Sequence, residues 1–212
     1  MSDPEIRVLV AEDDPFAQRA IVTYVARAAD ISIVGVASDG RTALRMVGEL
    51  EPDVLLTDIH MPGLDGVELI ERALSLPRPP RALCFTALGD EPTMRAALEA
   101  GASGFLLKVD PPDLLVQAIR ITNNGEALVS PKLLAGVLNA FTRRGNPPPD
   151  LSPTEIDLVR LVGTGLDNTE IARELSLAPS TVKTYVSRLL RRIGCRSRAQ
   201  LAARAHEWGL VG

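Results

Sequence analysis

Asp58 closes a run of apolar and β-branched residues, Val54-Leu55-Leu56-Thr57. It precedes a stretch rich in turn formers, Ile59-His60-Met61-Pro62-Gly63-Leu64-Asp65-Gly66. Alone, such an aspartate reads most simply as a turn residue. Three further apolar runs also end in polar groups: Ile6 to Val10 leads through Ala11 to Glu12-Asp13-Asp14, Ala82 to Phe85 leads to Thr86, and Gly104 to Leu107 leads to Lys108. Brought together, these residue types have a defined chemistry. Clustered carboxylates repel one another, and an oxygen-rich acidic cluster suits a hard divalent cation. Mg²⁺ accepts one or two carboxylates together with phosphate oxygens and water. A carboxylate beside such an ion can attack a phosphoryl group and form an acyl phosphate, with an ammonium and a hydroxyl opposite to hold the transferred oxygens. No Gly-x-x-x-x-Gly-Lys loop is present, so a nucleoside triphosphate is not the expected donor.

The elements between these residues explain how they could meet. Short apolar runs read as strands buried on both faces. They alternate with helical patterns: about Pro15 to Ala28, Gly40 to Leu50, Gly66 to Leu76, Glu91 to Ala100, and Asp110 to Asn123. A second strand, Ile31 to Ala37, carries no acid of its own. Asp14-Pro15 is a good N-cap and N1 pair, and Ser38-Asp39-Gly40 opens the second helix. Five strands alternating with five helices predict a parallel sheet covered on both faces. The β-to-α turns then share one edge, where open α/β sheets place their ligands. That edge collects Glu12, Asp13, Asp58, Thr86 and Lys108.

The bulk properties are those of a globular chain: 212 residues, 46% hydrophobic and 24% charged. No apolar run approaches the ~18 residues of a membrane span, and the acidic N-terminus has no signal-peptide pattern, so no membrane partner and a cytoplasmic location are expected. Cys84 and Cys195 lack metal-ligand spacing and read as small core fillers or a stray thiol. The net charge of −4 conceals an asymmetry. Residues 1–145 hold 14 basic and 20 acidic residues, whereas from Ile171 onward there are 8 basic and 2 acidic. A polyanion partner would meet the C-terminal part.

Residues 5 to about 125 resemble the receiver domain of two-component response regulators. The matching pieces are Val-Leu-Val-Ala-Glu12-Asp13-Asp14-Pro, Leu-Leu-Thr-Asp58-Ile-His-Met-Pro-Gly, Cys-Phe-Thr86-Ala and Gly-Phe105-Leu-Leu-Lys108. The resemblance implies a flavodoxin-like (βα)5 fold with parallel strand order 2-1-3-4-5. It implies that Asp58 accepts phosphate from a sensor histidine kinase. Mg²⁺ would be held by Asp13, Asp58 and the main-chain carbonyl of His60, with Glu12 assisting through water. Thr86 and Lys108 would contact the phosphoryl group, and Phe105 would be the aromatic switch residue, although Phe105 reads equally as core. Glu12 departs from the aspartate frequent at its position, which predicts a longer or water-mediated metal contact. Lys108 is followed by Val109 instead of the proline many receivers have.

Pro131 to Thr142 reads as a connector helix, and Pro147-Pro148-Pro149 imposes an extended spacer. The expected division is therefore residues 1–125 for the first domain, 126–150 for connector and linker, and 151–212 for the second. Ser152-Pro153-Thr154-Glu155 is a capping box opening a helix. A short helix from Asn168, a turn at Ser176 to Pro179 and a longer helix to about Ile193 follow. The last stretch, from the capping-box pattern Ser197-Arg-Ala-Gln200 to about Trp208, is a fourth helix. On the longer helix Val182, Val186, Leu189, Leu190 and Ile193 form an apolar stripe, and Lys183, Thr184, Ser187, Arg188 and Arg191 fall opposite. A basic outer face is by itself ordinary solvation.

This region resembles the LuxR-type helix-turn-helix domain along its full length. The matching runs are Leu151-Ser-Pro-Thr-Glu155, Gly165-Leu-Asp-Asn168-Thr-Glu-Ile-Ala172, Ser180-Thr-Val-Lys183-Thr-Tyr-Val-Ser187-Arg-Leu-Leu-Arg-Arg192-Ile-Gly194, and Arg196-Ser-Arg198-Ala-Gln. The resemblance implies a small all-α, four-helix domain. Lys183, Thr184 and Ser187 would face bases in the major groove, while Arg188, Arg191 and Arg192 would mainly contact phosphates. The last helix would form a dimer contact on promoter DNA. The whole chain is thus expected to be a phosphorylation-controlled transcription factor of the NarL/FixJ class, catalysing only its own phosphorylation and dephosphorylation. Three other readings compete: a receiver that works unphosphorylated, an aspartyl phosphatase or phosphotransferase, and a small-molecule-gated regulator. Against the aspartyl enzyme, His60 stands where the Asp-x-Asp motif needs its second acid. Against the gated regulator, the acidic pocket does not suit an apolar ligand.

Overall fold

The computed structural model describes residues 5–87, 89–131, 133 and 151–211. The expected connector helix and proline-rich spacer fall almost entirely outside the described residues.

The N-terminal part alternates strand and helix: β1 (Ile6–Ala11), α1 (Pro15–Val25), β2 (Ile31–Ala37), α2 (Gly40–Leu50), β3 (Val54–Thr57), α3 (Gly66–Ala73), β4 (Arg81–Thr86), α4 (Glu91–Ala100), β5 (Gly104–Leu107), α5 (Pro112–Asn123) and β6 (Leu128–Val129). The sheet is parallel throughout, with order β2-β1-β3-β4-β5-β6. Five of its six strands follow the expected order. The sixth is a two-residue strand, Leu128–Val129, paired with Gly104 and Phe105. It lies beyond Asn123-Asn124-Gly125, the expected end of the domain, and two residues are too few to show a strand period.

The core follows from strand composition. β3 and β5 are buried along their whole length, as expected of parallel strands covered on both faces. One face holds Val8, Val10, Val54, Leu56, Leu83 and Leu106 against α1 and α5. The other is split into two clusters, one around Leu9, Leu55 and Leu69 and one around Cys84, Phe105 and Met94. Cys84 and Cys195 are both buried free thiols. Burial pushes the Cys84 thiol far above its ordinary range and Cys195 up to about 11.

The C-terminal part is helical: α6 (Pro153–Gly163), α7 (Asn168–Glu174), α8 (Pro179–Arg192) and α9 (Arg198–Glu207). Its core is Leu158, Val159, Val162, Ile171, Val182, Val186, Leu189 and Leu201, with Trp208 packed at the margin. Ser152 and Glu155 form the expected capping box, and Asp167 with Glu170 forms another that opens α7. α8 starts without a side-chain cap, because Ala178 stands at that position, and Pro179 at N1 supplies the helical φ instead. The second expected capping box is incomplete. Ser197 accepts from the Gln200 N–H, but Oε1 of Gln200 accepts from the N–H of Arg196, one residue earlier than a box requires.

Candidate functional site

The sheet brings four strand ends together. Ala11 is paired with Thr57, Thr57 with Cys84, and Thr86 with Leu107, so Glu12, Asp58, Thr86 and Lys108 emerge side by side. Backbone bonds continue past the strands and fix the register: Asp58 N–H donates to Ala11 O at 2.8 Å, and Lys108 N–H donates to Thr86 O at 2.8 Å. Asp14 points away from this edge. It caps α1, accepting from Phe16 N–H at 2.8 Å, with Pro15 in the first turn. Of the three consecutive acids, two are left for the site.

Lys108 is the hub. Its Nζ lies 2.6 Å from Asp58 Oδ2, 2.8 Å from Glu12 Oε1 and 2.7 Å from Glu12 Oε2. The Glu12 side chain is 1% exposed, Asp58 7% and Lys108 20%, so two carboxylates and one ammonium share a largely dry pocket. Burial and the neighbouring Asp58 raise the Glu12 pKa above its ordinary value, against the opposing pull of Lys108. For Asp58, burial works upward, but the Lys108 ammonium and the Ile59 N–H outweigh it and hold the carboxyl below its ordinary range. Burial would lower Lys108; its two carboxylate partners prevail and raise it. One cation against two buried anions leaves the pocket with unbalanced negative charge.

Glu12, Asp13 and Asp58 each present a carboxylate oxygen, and these atoms lie within 4.8 Å of one another. This is a donor set of hard oxygens, of the kind a small divalent cation takes. Asp13 is exposed, which leaves the cluster open to water. Asp58 Oδ1 is oriented by the Ile59 N–H at 2.6 Å, with the His60 N–H at 3.4 Å behind it. The remaining oxygen, Oδ2, faces Lys108. Thr86 is fully buried, and its hydroxyl lies near enough to Asp58 to favour the charged carboxylate but makes no hydrogen bond of good geometry. A buried hydroxyl without a partner is costly. Phe105 is 0% exposed and belongs to the cluster beneath α4.

Two positioning residues had no sequence signal strong enough to single out. Gly66 looked like one more turn residue. A Cβ there would stand 2.0 Å from the main-chain oxygen of Asp58, so only glycine lets the loop after β3 fold back, closed by Gly66 N–H to Ile59 O at 2.8 Å. Gln18 clamps the strand end, donating to Glu12 O at 2.6 Å and Ser38 Oγ at 3.0 Å. Its position one turn inside α1 is visible in the sequence, but an amide on a helix has many roles.

The second set of expected functional residues lies on α8. Lys183, Thr184, Ser187, Arg188, Arg191 and Arg192 are all exposed, opposite the buried Val182, Val186 and Leu189. Tyr185 is 38% exposed on the same side. Thr184 donates back to Ser180 O at 3.0 Å. Arg192 differs from the others. Its Nη1 lies 2.6 and 2.7 Å from the two carboxylate oxygens of Glu155, which also serve the capping box of α6. It therefore ties the end of α8 to the start of α6.

Residues 8–120 match the response regulator receiver domain family, and residues 149–205 match the luxR family of bacterial regulatory proteins. The chain is 35% identical over 209 residues to the probable transcriptional regulatory protein NarL of Mycobacterium tuberculosis, covering 97% of both. It is 32% identical to the nitrate/nitrite response regulator protein NarL of Escherichia coli, covering 94% of both. Among solved structures it is similar to the response regulator ChrA of a heme-sensing two-component system (31% identity, TM-score 0.55, covering 98% of this chain and 99% of that one). The RcsB–DNA complex, at 23% identity and TM-score 0.60, shares the fold.

Proposed function

The chain belongs to the NarL-type transcriptional response regulators, with a receiver domain and a LuxR-type DNA-binding domain; on that premise we propose that Asp58 is its phosphoacceptor and that the phosphoryl group controls binding of α8 to promoter DNA. The observation that carries this reading is the convergence of Glu12, Asp58 and Lys108 at one sheet edge, with Asp13 beside them. A sensor histidine kinase is the donor in the cytoplasm; the exposed Phe16, in the first turn of α1, and Val109, in the turn after β5, follow the strand ends that carry Glu12 and Lys108 and stand where such a partner would approach.

The residues fit a magnesium ion. Asp13 and Asp58 would hold it, with the main-chain carbonyl of His60, and Glu12 would act through water. The ion would shield the attacking carboxylate and the incoming phosphate oxygens from each other. The chain's own groups do the rest. The Ile59 N–H holds Asp58 Oδ1, leaving Oδ2 as the nucleophile. Attack by Oδ2 forms the O–P bond while the donor's nitrogen–phosphorus bond breaks and the imidazole leaves with the electron pair. Lys108 moves from a carboxylate partner to a phosphoryl oxygen, keeping a charge-assisted bond throughout. Thr86 gains the acceptor its hydroxyl lacks, and Phe105 follows it inward.

On the DNA side, Lys183, Thr184 and Ser187 read base edges, and Arg188 and Arg191 hold phosphates. The Glu155 pair makes Arg192 a tether first and a phosphate contact second. Paired half-sites require two copies, so the active form is a homodimer. Incubation with acetyl phosphate and Mg²⁺ should add one phosphoryl group by intact mass, and none in Asp58→Ala. An adduct that persists in the variant would place the acceptor elsewhere.

A further inference from the structure

A second cleft lies at the opposite edge of the sheet, where β4 and β5 begin. Its volume is about 350 Å³ and its walls are Leu74, Pro79, Pro80, Arg81, Ser103 and Arg196, a size that admits a small molecule. Arg81 is the exposed first residue of β4. Its side chain makes no hydrogen bond or ion pair with any described residue. The acids beside it are already engaged: Glu51 pairs with Arg78, and Asp53 accepts from the Arg7 N–H at 2.8 Å. Arg196 enters from the C-terminal domain, where the start of α9 packs on the end of α4. There Gln200 Nε2 donates to Glu99 O at 3.3 Å, Ser197 Oγ to Ala102 O at 2.7 Å and Arg196 Nη1 to Ala100 O at 3.3 Å. One N–H of the Arg196 guanidinium is committed to that carbonyl, and the group meets no carboxylate among the described residues. Ser103 is 4% exposed and lines the cleft, yet its hydroxyl has no hydrogen-bond partner among the described residues. A buried hydroxyl left in that state is costly unless something in the cleft reaches it.

We propose that this cleft binds a small phosphate monoester, its dianionic head held by Arg81, Arg196 and the Ser103 hydroxyl and its organic part lying on Leu74, Pro79 and Pro80. Two positive groups in one cleft with no acid in its walls repel each other and gain from an anion between them. Guanidinium forks match phosphate oxygens two at a time. A dianion with three terminal oxygens uses both forks, whereas a monocarboxylate satisfies one. The serine hydroxyl can donate to an oxygen the forks leave over. The leucine and the two prolines offer apolar side-chain surface and no donors, so the polar contacts gather on the anionic head, the usual division in a small-molecule site. The cleft is separate from the acceptor pocket, since neither Asp58 nor any group that holds it is in its walls. Each domain supplies one guanidinium, so a bound ligand stabilises the full chain as it is assembled here.

The test is calorimetric titration of the full chain with phenyl phosphate and with inorganic phosphate, without Mg²⁺ and at constant ionic strength. Wild type should bind phenyl phosphate saturably and more tightly than inorganic phosphate, and its melting temperature should rise with the ligand. Arg81→Gln should weaken phenyl phosphate about ten-fold, the loss expected for charge-assisted hydrogen bonds. Arg81 has no side-chain partner to lose, so that loss would not come from unfolding. Arg196→Gln should weaken it to a similar extent, and Asp58→Ala should bind it as wild type does. No saturable binding, or full affinity in either arginine variant, overturns the proposal. Binding lost in Asp58→Ala and kept in Arg81→Gln also overturns it and puts the anion in the acceptor pocket. Succinate bound as tightly as phenyl phosphate overturns the phosphate head, and equal affinity for the two phosphates overturns the apolar wall.

Discussion

The pocket we propose as the phosphate acceptor and the face of α8 we propose as the DNA reader are both charged, and they are built on opposite plans. In the pocket, Glu12, Asp58 and Lys108 converge from three strand ends into a nearly dry space, each already engaged with another. On α8, Lys183, Ser187, Arg188 and Arg191 diverge from one helix into water. Convergence makes the pocket sensitive: two buried anions held by one cation respond strongly to any added charge. Divergence makes α8 insensitive until a polyanion arrives, because exposed charges in water interact weakly with one another. A switch needs the first property and a reader needs the second.

That contrast can be broken at several points. The largest effect is expected at Lys108. Lys108→Ala leaves two buried carboxylates without their ammonium and should destabilise the chain by about 3 kcal/mol in urea unfolding at neutral pH. The deficit should shrink at low pH, since Glu12, already raised by burial, accepts a proton more readily than an ordinary carboxyl. Mg²⁺ should restore part of the loss and a chelator should remove that gain. A deficit indifferent to pH and Mg²⁺ would mean the pocket is not under electrostatic tension.

On α8 the effect moves from stability to affinity. Lys183→Ala should weaken promoter binding about ten-fold and lower the salt slope by about one, while unfolding stays within ~0.5 kcal/mol of wild type. Unchanged binding would remove α8 as the reader.

The smallest effect is expected where the reader borrows the pocket's design, at Glu155. The Ser152 N–H and hydroxyl, with help from Arg192, hold its carboxyl below its ordinary value. A depressed acid contributes stability that is present above the ordinary value near 4.5 and is lost as pH falls through the lowered one. Glu155→Gln should therefore flatten the acid limb of unfolding followed by Trp208 fluorescence, the only tryptophan in the chain. An acid limb of the same steepness in the variant would assign it to another group.

How much of this was legible beforehand follows from the same contrast. Asp58, Glu12, Asp13, Thr86 and Lys108 each end or follow an apolar run, and one fold class brings such ends together. The stripe of Val182, Val186 and Leu189 likewise announced which side of α8 faces out. Gly66 was hidden because its role is to let a main-chain oxygen approach, and that depends on a loop path no local pattern encodes. β6 was hidden by its length. The docking of α9 on α4 was hidden because its acceptors are the carbonyls of Glu99, Ala100 and Ala102, and every residue has a carbonyl. Arg192 was legible as a charge but not as a tether, since Glu155 lies a full helix-turn-helix away in sequence.

The central claim is that charge arriving in the converged pocket changes what the diverged face does. Its most direct test is promoter affinity of the full chain, measured with and without acetyl phosphate and Mg²⁺, in wild type and in Asp58→Ala. The account predicts tighter binding on phosphodonor addition in wild type and no change in the variant. Equal affinity in all four conditions, or equal tightening in both chains, would contradict it.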